Sequence, residues 1–145
     1  MSIELSSNPP RSFYVISGFA LVWNLLGVGA YISQVTMTPE ALAAIPEAQR
    51  AIIEGRPEWA TAAFAIAVNG GALGCVLLLL RKALATPVLI ASFVGVLVQM
   101  YQSVFMANSI EVYGPVGMIM PVSVLIIGAY LIWLSMDAKK KGFVS

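Results

Sequence analysis

The stretch WATAAFAIAVNGGALGCVLLLL, from Trp59 to Leu80, decides the fold because it contains no charged side chain from end to end. The hydrocarbon core of a bilayer is about 30 Å thick, and about 20 helical residues at about 1.5 Å each are needed to cross it. A segment in lipid must also bond its own backbone N–H and C=O groups, which favours the α-helix. The sequence therefore predicts a transmembrane helix over this stretch.

Three more uncharged stretches have a similar length: Ser12 to Gln34, Pro87 to Ala107 and Pro115 to Met136. Of the 145 residues, 59% are apolar and only 10% are charged, and the mean hydropathy is +0.88, which is too apolar for a soluble domain. These values predict an all-α membrane protein, a bundle of four transmembrane helices in one domain over residues 1–145. The predicted spans are 12–34, 59–80, 87–107 and 115–136.

The segment 35–58, between the first two spans, is predicted to lie outside the membrane and has the residues of two short helices. Thr38 can cap the first helix, with Pro39 at its first position, where a missing N–H costs little. Pro46 starts the second helix, which we expect to end at Gly55. We expect this external helical segment to lie on the membrane surface or to cap the bundle.

Basic residues mark one side of the predicted membrane protein, and cytoplasmic loops carry an excess of Lys and Arg. The opposite side carries Arg50 and Arg56 among a larger number of glutamates. This bias predicts that both termini are cytoplasmic and that the external segment faces outward. The basic residues on the predicted cytoplasmic side are Arg11, Arg81, Lys82, Lys139, Lys140 and Lys141.

Three amide side chains lie at one predicted depth in the membrane: Asn24, Asn69 and Gln99. An amide without a partner in hydrocarbon costs several kcal/mol, so we expect the three to face one another or a wet cavity. Gln102 and Tyr31 continue this polarity toward the outside. Two interpretations stay open, hydrogen bonds between helices or contacts with a solute, and these five residues are the candidate solute-binding residues.

Each of the three amides also belongs to a stripe of small or polar residues at alternating steps of three and four, as in a helix seam. We expect these stripes to face the bundle interior. In the first span the stripe is Ser17, Ala20, Asn24, Gly27, Tyr31 and Gln34, and in the second it is Ala62, Ala65, Asn69, Ala72 and Val76.

The side chains of the spans exclude several kinds of chemistry. No Asp, Glu, Lys, Arg or His lies inside a predicted span, so no side chain there can carry a proton through the membrane. Histidine is absent and Cys75 is the only cysteine, which excludes an intramolecular disulfide and a Cys/His zinc site. We therefore expect no enzymatic activity, no metal and no cofactor. The net charge of +1 gives no basic surface for nucleic acid.

Three runs carry a resemblance: FALVWNLLGVGAY at Phe19 to Tyr31, MTPEALAAIPEAQRAIIEGRPEW at Met37 to Trp59, and AVNGGALGCVLLLLRK at Ala67 to Lys82. They resemble small bacterial four-helix membrane proteins that are loosely labelled sugar transporters, and the overall plan is similar to that of the DoxX-like group. The resemblance implies a bacterial inner (cytoplasmic) membrane location and a neutral polar solute such as a sugar. It assigns no catalytic or ligand-binding residue.

Two functions are compatible with these features. The first is binding or transport of a small neutral polar solute whose hydroxyls meet the amides, and it favours a homo-oligomer because four helices make a thin wall for a pathway. The second is a non-catalytic accessory or structural subunit of a larger membrane complex, in which the amides fix the helix register. A wet cavity joining the amides to the outside favours the first function, and amides bonded directly to each other favour the second.

Overall fold

The structure is a computed structural model that describes residues 8–106, 111–112, 114 and 119–145. No strand occurs among these residues, and the predicted all-α fold with four membrane-spanning helices is confirmed. The helices are α1 (Arg11–Val35), α2 (Pro39–Ala43), α3 (Glu47–Glu54), α4 (Glu58–Leu79), α5 (Ala85–Tyr101), a π-helix (Gln102–Met106) that continues α5, and α6 (Ile119–Lys140).

Four helices in the described part of the chain are long and apolar enough to cross a membrane: α1, α4, α5 with its π-helix, and α6. Their apolar side chains face outward as well as inward, since only 11% of the most apolar window of α1 and 39% of that of α4 are buried inside the protein. A water-soluble bundle would not expose this much apolar surface. The chain is a small polytopic membrane protein. Residues 115–118, which begin the predicted fourth span, lie outside the described residues.

The four long helices form an arc with α4 and α5 at its centre. α4 packs against α1 on one side and against α5 on the other, and α6 packs against α5. The described parts of α1 and α6 share no comparable backbone interface, although buried residues of both helices belong to one apolar cluster, so the arc is open between them only beyond that cluster.

Small residues bring α4 and α5 close together. A Cβ atom added at Gly95 would lie 2.8 Å from the carbonyl oxygen of Ala63 and 3.1 Å from the backbone nitrogen of Ala67. Ser92 Oγ donates a hydrogen bond of 2.5 Å to the Ala67 carbonyl, across the same interface. Lipid supplies no hydrophobic drive between helices, so close packing and hydrogen bonds of this kind hold α4 to α5.

The last residues of the chain close one end of the bundle, which we call the tail end. Ser145 donates its backbone N–H to the Arg81 carbonyl at 3.1 Å, and its own carbonyl accepts from the Ala83 N–H at 2.9 Å. Arg81 Nε also donates to the Phe143 carbonyl at 2.8 Å. Val144 is fully buried between these contacts. The chain end is thereby fixed to the turn between α4 and α5.

Side chains complete the closure of the tail end. The Phe143 ring packs edge-on against Phe13 of α1, with centroids 5.9 Å apart. Thr86 Oγ1 of α5 donates to Ser135 Oγ of α6 at 2.9 Å, and Ser135 Oγ donates to the Ile132 carbonyl at 2.7 Å. All four long helices are therefore joined at this end.

The two short helices lie at the opposite end, which we call the α3 end. Thr38 Oγ1 accepts a hydrogen bond of 3.1 Å from the Ala41 N–H and caps α2, whose first residue is Pro39. α3 follows Pro46 and ends at its cap residue Gly55. The predicted pair of helices and the predicted cap are confirmed.

Candidate ligand-binding cavity

A cavity of about 470 Å³ lies inside the arc, in the half of the bundle nearer the α3 end. Its volume falls within the range of small-molecule sites. α1 and α6 line its two sides, α4 and α5 line its back, and residues of α3 and the following turn line its outer end. Most of the wall is apolar, and the hydrophilic side chains among the described lining residues are Asn24, Gln34, Arg56, Gln99 and Ser103.

Asn24 lies where α1 crosses α4. Its Nδ2 donates to the Ala20 carbonyl at 2.8 Å and to Cys75 Sγ of α4 at 3.6 Å. Its Oδ1 lies over Gly71, where an added Cβ atom would collide with it. The amide therefore serves first as a contact between two helices, and only part of the side chain lines the cavity.

Gln99 and Ser103 line the cavity from its back wall. Gln99 lies before the π-helix and Ser103 lies within it. The wider turns of a π-helix change the direction of successive side chains. Ser103 and Val104 line the cavity, whereas Gln102 is 4% exposed and lies away from it. The π-helix thus leaves Gln99 and Ser103 in the cavity wall and directs Gln102 to a buried position outside it.

Arg56 places a positive charge at the outer end of the cavity. Its Nη1 donates to Gln34 Oε1 of α1 at 2.6 Å. Its guanidinium lies over the ring of Phe64 of α4, 5.7 Å from the ring centroid, and Tyr31 packs edge-on against the same ring at 5.4 Å. Arg56 is the one charged side chain among the described residues that line the cavity.

The cavity opens sideways through the gap between α1 and α6. Leu26 of α1 and Met120 of α6 both line it and yet are 68% and 60% exposed. The gap lies within the apolar length of the two helices, so lipid chains would border it in a membrane. Among the described residues, the cavity is therefore open toward the outer surface of these two helices.

The floor of the cavity is closed toward the tail end. Leu131 of α6 lines the floor and is 2% exposed. Below it, Cys75, Leu78 and Leu89 belong to one buried apolar cluster with residues of α1 and α6. Among the described residues, the cavity is therefore closed toward the tail end and open toward the gap between α1 and α6.

The structure brings together only part of the predicted amide layer. Asn24 and Gln99 both line the cavity. Tyr31 lies next to it, behind the Phe64 ring. Gln102 lines a different space of about 560 Å³ near α3, beside Ile52, which also lines the main cavity.

The expected inward orientation of Asn69 is wrong. Asn69 is exposed on the outer face of α4, and its Nδ2 donates to the Ala65 carbonyl of its own helix at 2.8 Å. Ala62 and Val76 of the predicted stripe are exposed as well, and Ala65 and Ala72 are half-buried. A different face of α4 packs against the neighbouring helices. On this face Gly71 lies under Asn24 of α1, and Gly74 lies under Leu89 of α5.

Three hydrophilic lining residues, Gln34, Arg56 and Ser103, were not among the sequence-based candidates. Arg56 is a basic residue on the predicted acidic side, directly before the start of α4, and this position is the signal that places it at the rim. Ser103 shares a predicted helical face with Gln99 in the third span, and this spacing is the signal that could have found it. No group of three or more His, Cys, Asp or Glu that could hold a metal occurs within the described residues.

Comparisons with protein-family models, with curated proteins and with solved structures produced no match to this chain.

Proposed function

We propose that the protein is a non-catalytic protein of the bacterial inner membrane, with both termini cytoplasmic, that binds a small ligand in the cavity inside the arc. The observation that supports it is a cavity of about 470 Å³ at membrane depth, with polar groups along an apolar wall. Helices packed only to hold each other would leave no space of this size. Gln99 and Ser103 are positioned to hold a polar group of the ligand at the back wall.

The composition of the wall limits the ligand. No charged side chain of the described residues lines the cavity at the depth of Gln99, so the part of the ligand at this depth is neutral, as the sequence leads us to expect. A group polar on every side, such as a sugar ring, would place hydroxyls against Val68, Val124 and Ile127, where they find no partner. We favour a largely apolar molecule with one or two polar groups.

The closed floor favours binding over transport. A transport pathway would need an opening through the packed cluster around Leu78 and Leu89, and the chain end would have to leave the tail end. Among the described lining residues, none below Arg56 is ionisable and could couple such a movement to protons. We expect ligand binding to be independent of a proton gradient.

Trp23 lines the cavity, whereas Trp59 and Trp133 do not, so a variant with Trp59→Phe and Trp133→Phe reports on the cavity alone. Its emission should shift when a ligand from a panel of sugars, polyols, lipophilic alcohols and fatty acids binds. Ala30→Phe should abolish the shift because Ala30 lines the cavity and a larger ring would fill it. Ser33→Phe, on the same helix outside the lining, is the matched control. If no ligand shifts Trp23 emission, or if Ala30→Phe has no effect on a shift, the proposed function is wrong.

The accessory-subunit function is supported by a separate observation. Asn24 and Asn69 each donate an amide hydrogen bond to a carbonyl of their own helix, and Asn24 also donates to Cys75 of α4. A bond between helices of this kind is a structural contact in membranes. This function predicts that the protein purifies in a stoichiometric membrane complex and that Gln99→Val leaves that complex intact. Purification in mild detergent followed by mass measurement of the intact assembly tests it.

We also propose that two copies associate through the outer face of α4. Asn69 lies midway along this span. Its Nδ2 donates one hydrogen bond to the Ala65 carbonyl, and lipid offers no hydrogen-bond partner to its second N–H or to its Oδ1. The same residue of a second copy supplies a complementary amide, and the neighbouring Ala62 is small enough for close approach. This face does not line the cavity, so association leaves the lateral opening free.

A further inference from the structure

The ligand class can be narrowed because the cavity has both a lateral opening and a charged end. We infer that the cavity holds one chain of an anionic amphiphile, which enters from the bilayer between α1 and α6 and places its carboxylate or phosphate head at Arg56. This inference rests on the proposed function and names the ligand of that same site.

The apolar part of the wall fits a lipid chain. Leu26 and Met120 border the opening at the level of the hydrocarbon, and both are more than half exposed. Behind them, Val68, Val96 and Ile127 continue the apolar surface into the cavity. A chain that leaves the bilayer through this opening stays in an apolar environment throughout, so no barrier of desolvation opposes its movement.

The apolar wall cannot by itself select the ligand. A lipid chain is as apolar as a leucine side chain, so moving it from the bilayer into the cavity gives little net hydrophobic free energy. Selection therefore depends on the head group. A hydrogen bond to a charged group is about twice as strong as one between neutral groups, and a low-dielectric surrounding strengthens it further.

Arg56 is positioned for that selection. Gln34 Oε1 accepts from its Nη1 at 2.6 Å and the Phe64 ring lies beneath its guanidinium, so two helices orient the charge at the outer end of the cavity. The described lining residues include no carboxylate that would repel an anion. Arg50 lies on the same short segment but does not line the cavity.

The test uses the full-length chain in bilayer discs of zwitterionic lipid, with the variant that retains Trp23 alone. Two probes are compared at about pH 9, a long-chain fatty acid brominated along its chain and the fatty alcohol with the same brominated chain. At this pH the carboxylic head is ionised. Bromine quenches tryptophan at short range, so a chain inside the cavity quenches Trp23. A variant that retains only Trp59, which is partly exposed and lies outside the cavity lining, measures unselective quenching by probes in the bilayer.

We expect the acid to quench Trp23 saturably and more than it quenches Trp59, and unbrominated acid to reverse the effect. Arg56→Gln should weaken binding of the acid about 10-fold or more, which corresponds to one charge-assisted hydrogen bond. Arg56→Lys, which keeps the charge, should restore a large part of the affinity, and Arg50→Gln should bind as the parent does. Elution as a single species in size-exclusion chromatography verifies that each variant is folded.

Four outcomes would overturn the inference. Equal quenching by the alcohol, or unchanged affinity in a folded Arg56→Gln variant, would show that the head charge is not recognised. A polyol that shifts Trp23 emission while the acid does not bind would retain the proposed function and reject the amphiphile. Failure of every probe to affect Trp23 would reject the proposed function as well.

Discussion

Gly95→Ala tests the interface that forms the back wall of the cavity. The new methyl group would lie 2.8 Å from the Ala63 carbonyl oxygen, a backbone atom that cannot rotate away. Relieving this contact requires α4 and α5 to separate by roughly 0.5 Å or more, a gap that already forfeits about a quarter of the dispersion energy of the facing atoms. Overpacking of this kind costs about 1–3 kcal/mol.

The same separation stretches the hydrogen bond from Ser92 Oγ to the Ala67 carbonyl, and bonds of this type in membranes contribute about 0.6–1.7 kcal/mol. The total expected loss for Gly95→Ala is therefore about 2–4 kcal/mol in the free energy of unfolding. Ser92→Ala, which removes only the hydrogen bond, should cost the smaller share. The measurement is unfolding in mixed micelles of mild detergent and dodecyl sulfate, followed by tryptophan fluorescence.

Gly29→Ala is the matched control for Gly95→Ala, because an added Cβ atom at Gly29 meets nothing within 4 Å. Its unfolding midpoint should equal or exceed that of the parent, since alanine is the better helix former. If Gly95→Ala is as stable as Gly29→Ala, α4 and α5 do not pack at the distance described, and the back wall of the cavity is misplaced.

Three further predictions concern association, orientation and the chain end. Asn69→Val should reduce cross-linking between copies in native membranes, whereas Leu73→Val, on the same exposed face, should leave it unchanged; equal cross-linking in both variants would reject the Asn69 contact. A cysteine at Glu47 should react with an impermeant thiol reagent on intact cells and one at Lys140 should not, and the opposite result would reverse the proposed orientation. Phe143→Ala should lower the thermal unfolding midpoint in detergent, because truncating a packed aromatic ring costs about 3–5 kcal/mol in a well-packed core and less at this half-buried site; an unchanged midpoint would show that the chain end contributes nothing to stability.

The helices outside the membrane could be predicted in detail because their signals are local. Thr38 and Pro39 specify the start of α2, and Gly55 specifies the end of α3, by interactions within four residues. The length and lack of charge of each span likewise depend on one segment at a time. Such features require no knowledge of which helix lies beside which.

The inward face of α4 could not be predicted from periodicity because small residues lie on more than one face of this helix. Ala62 and Ala65 follow one stripe, while Gly71 and Gly74 follow another, and the spacing of residues does not choose between them. The choice depends on the partners, since only the second stripe leaves room for the Asn24 amide and the Leu89 side chain. In α1 one small and polar stripe was present, and Ser17 and Ala20 in it are buried as expected.

The cavity itself depends on elements that are distant in the sequence. α1 and α6 border it from the two ends of the chain, and Arg56 reaches it from a turn outside the apolar stretches. The π-helix adds a further difficulty, because a helical stripe drawn through the third span places Gln102 beside Gln99, whereas the wider turns separate them. The shared depth of the three amides therefore predicted only part of the arrangement. Asn24 and Gln99 line the cavity, whereas Asn69 lies on the outer face of α4.

In the open arc, the width of the lateral opening can change with little effect on the stability of the protein. Among the long helices, α6 packs mainly on α5, so the contacts with α5 fix its distance from α1 beyond the buried apolar cluster. Gly128 is part of those contacts, and a methyl group there would lie 3.0 Å from Cδ2 of Phe93. We expect substitutions at such positions to pivot α6 about its attachment at the tail end, because the interfaces of α1 with α4 and of α4 with α5 do not involve α6. The width of the opening can then change one side chain at a time without repacking those two interfaces.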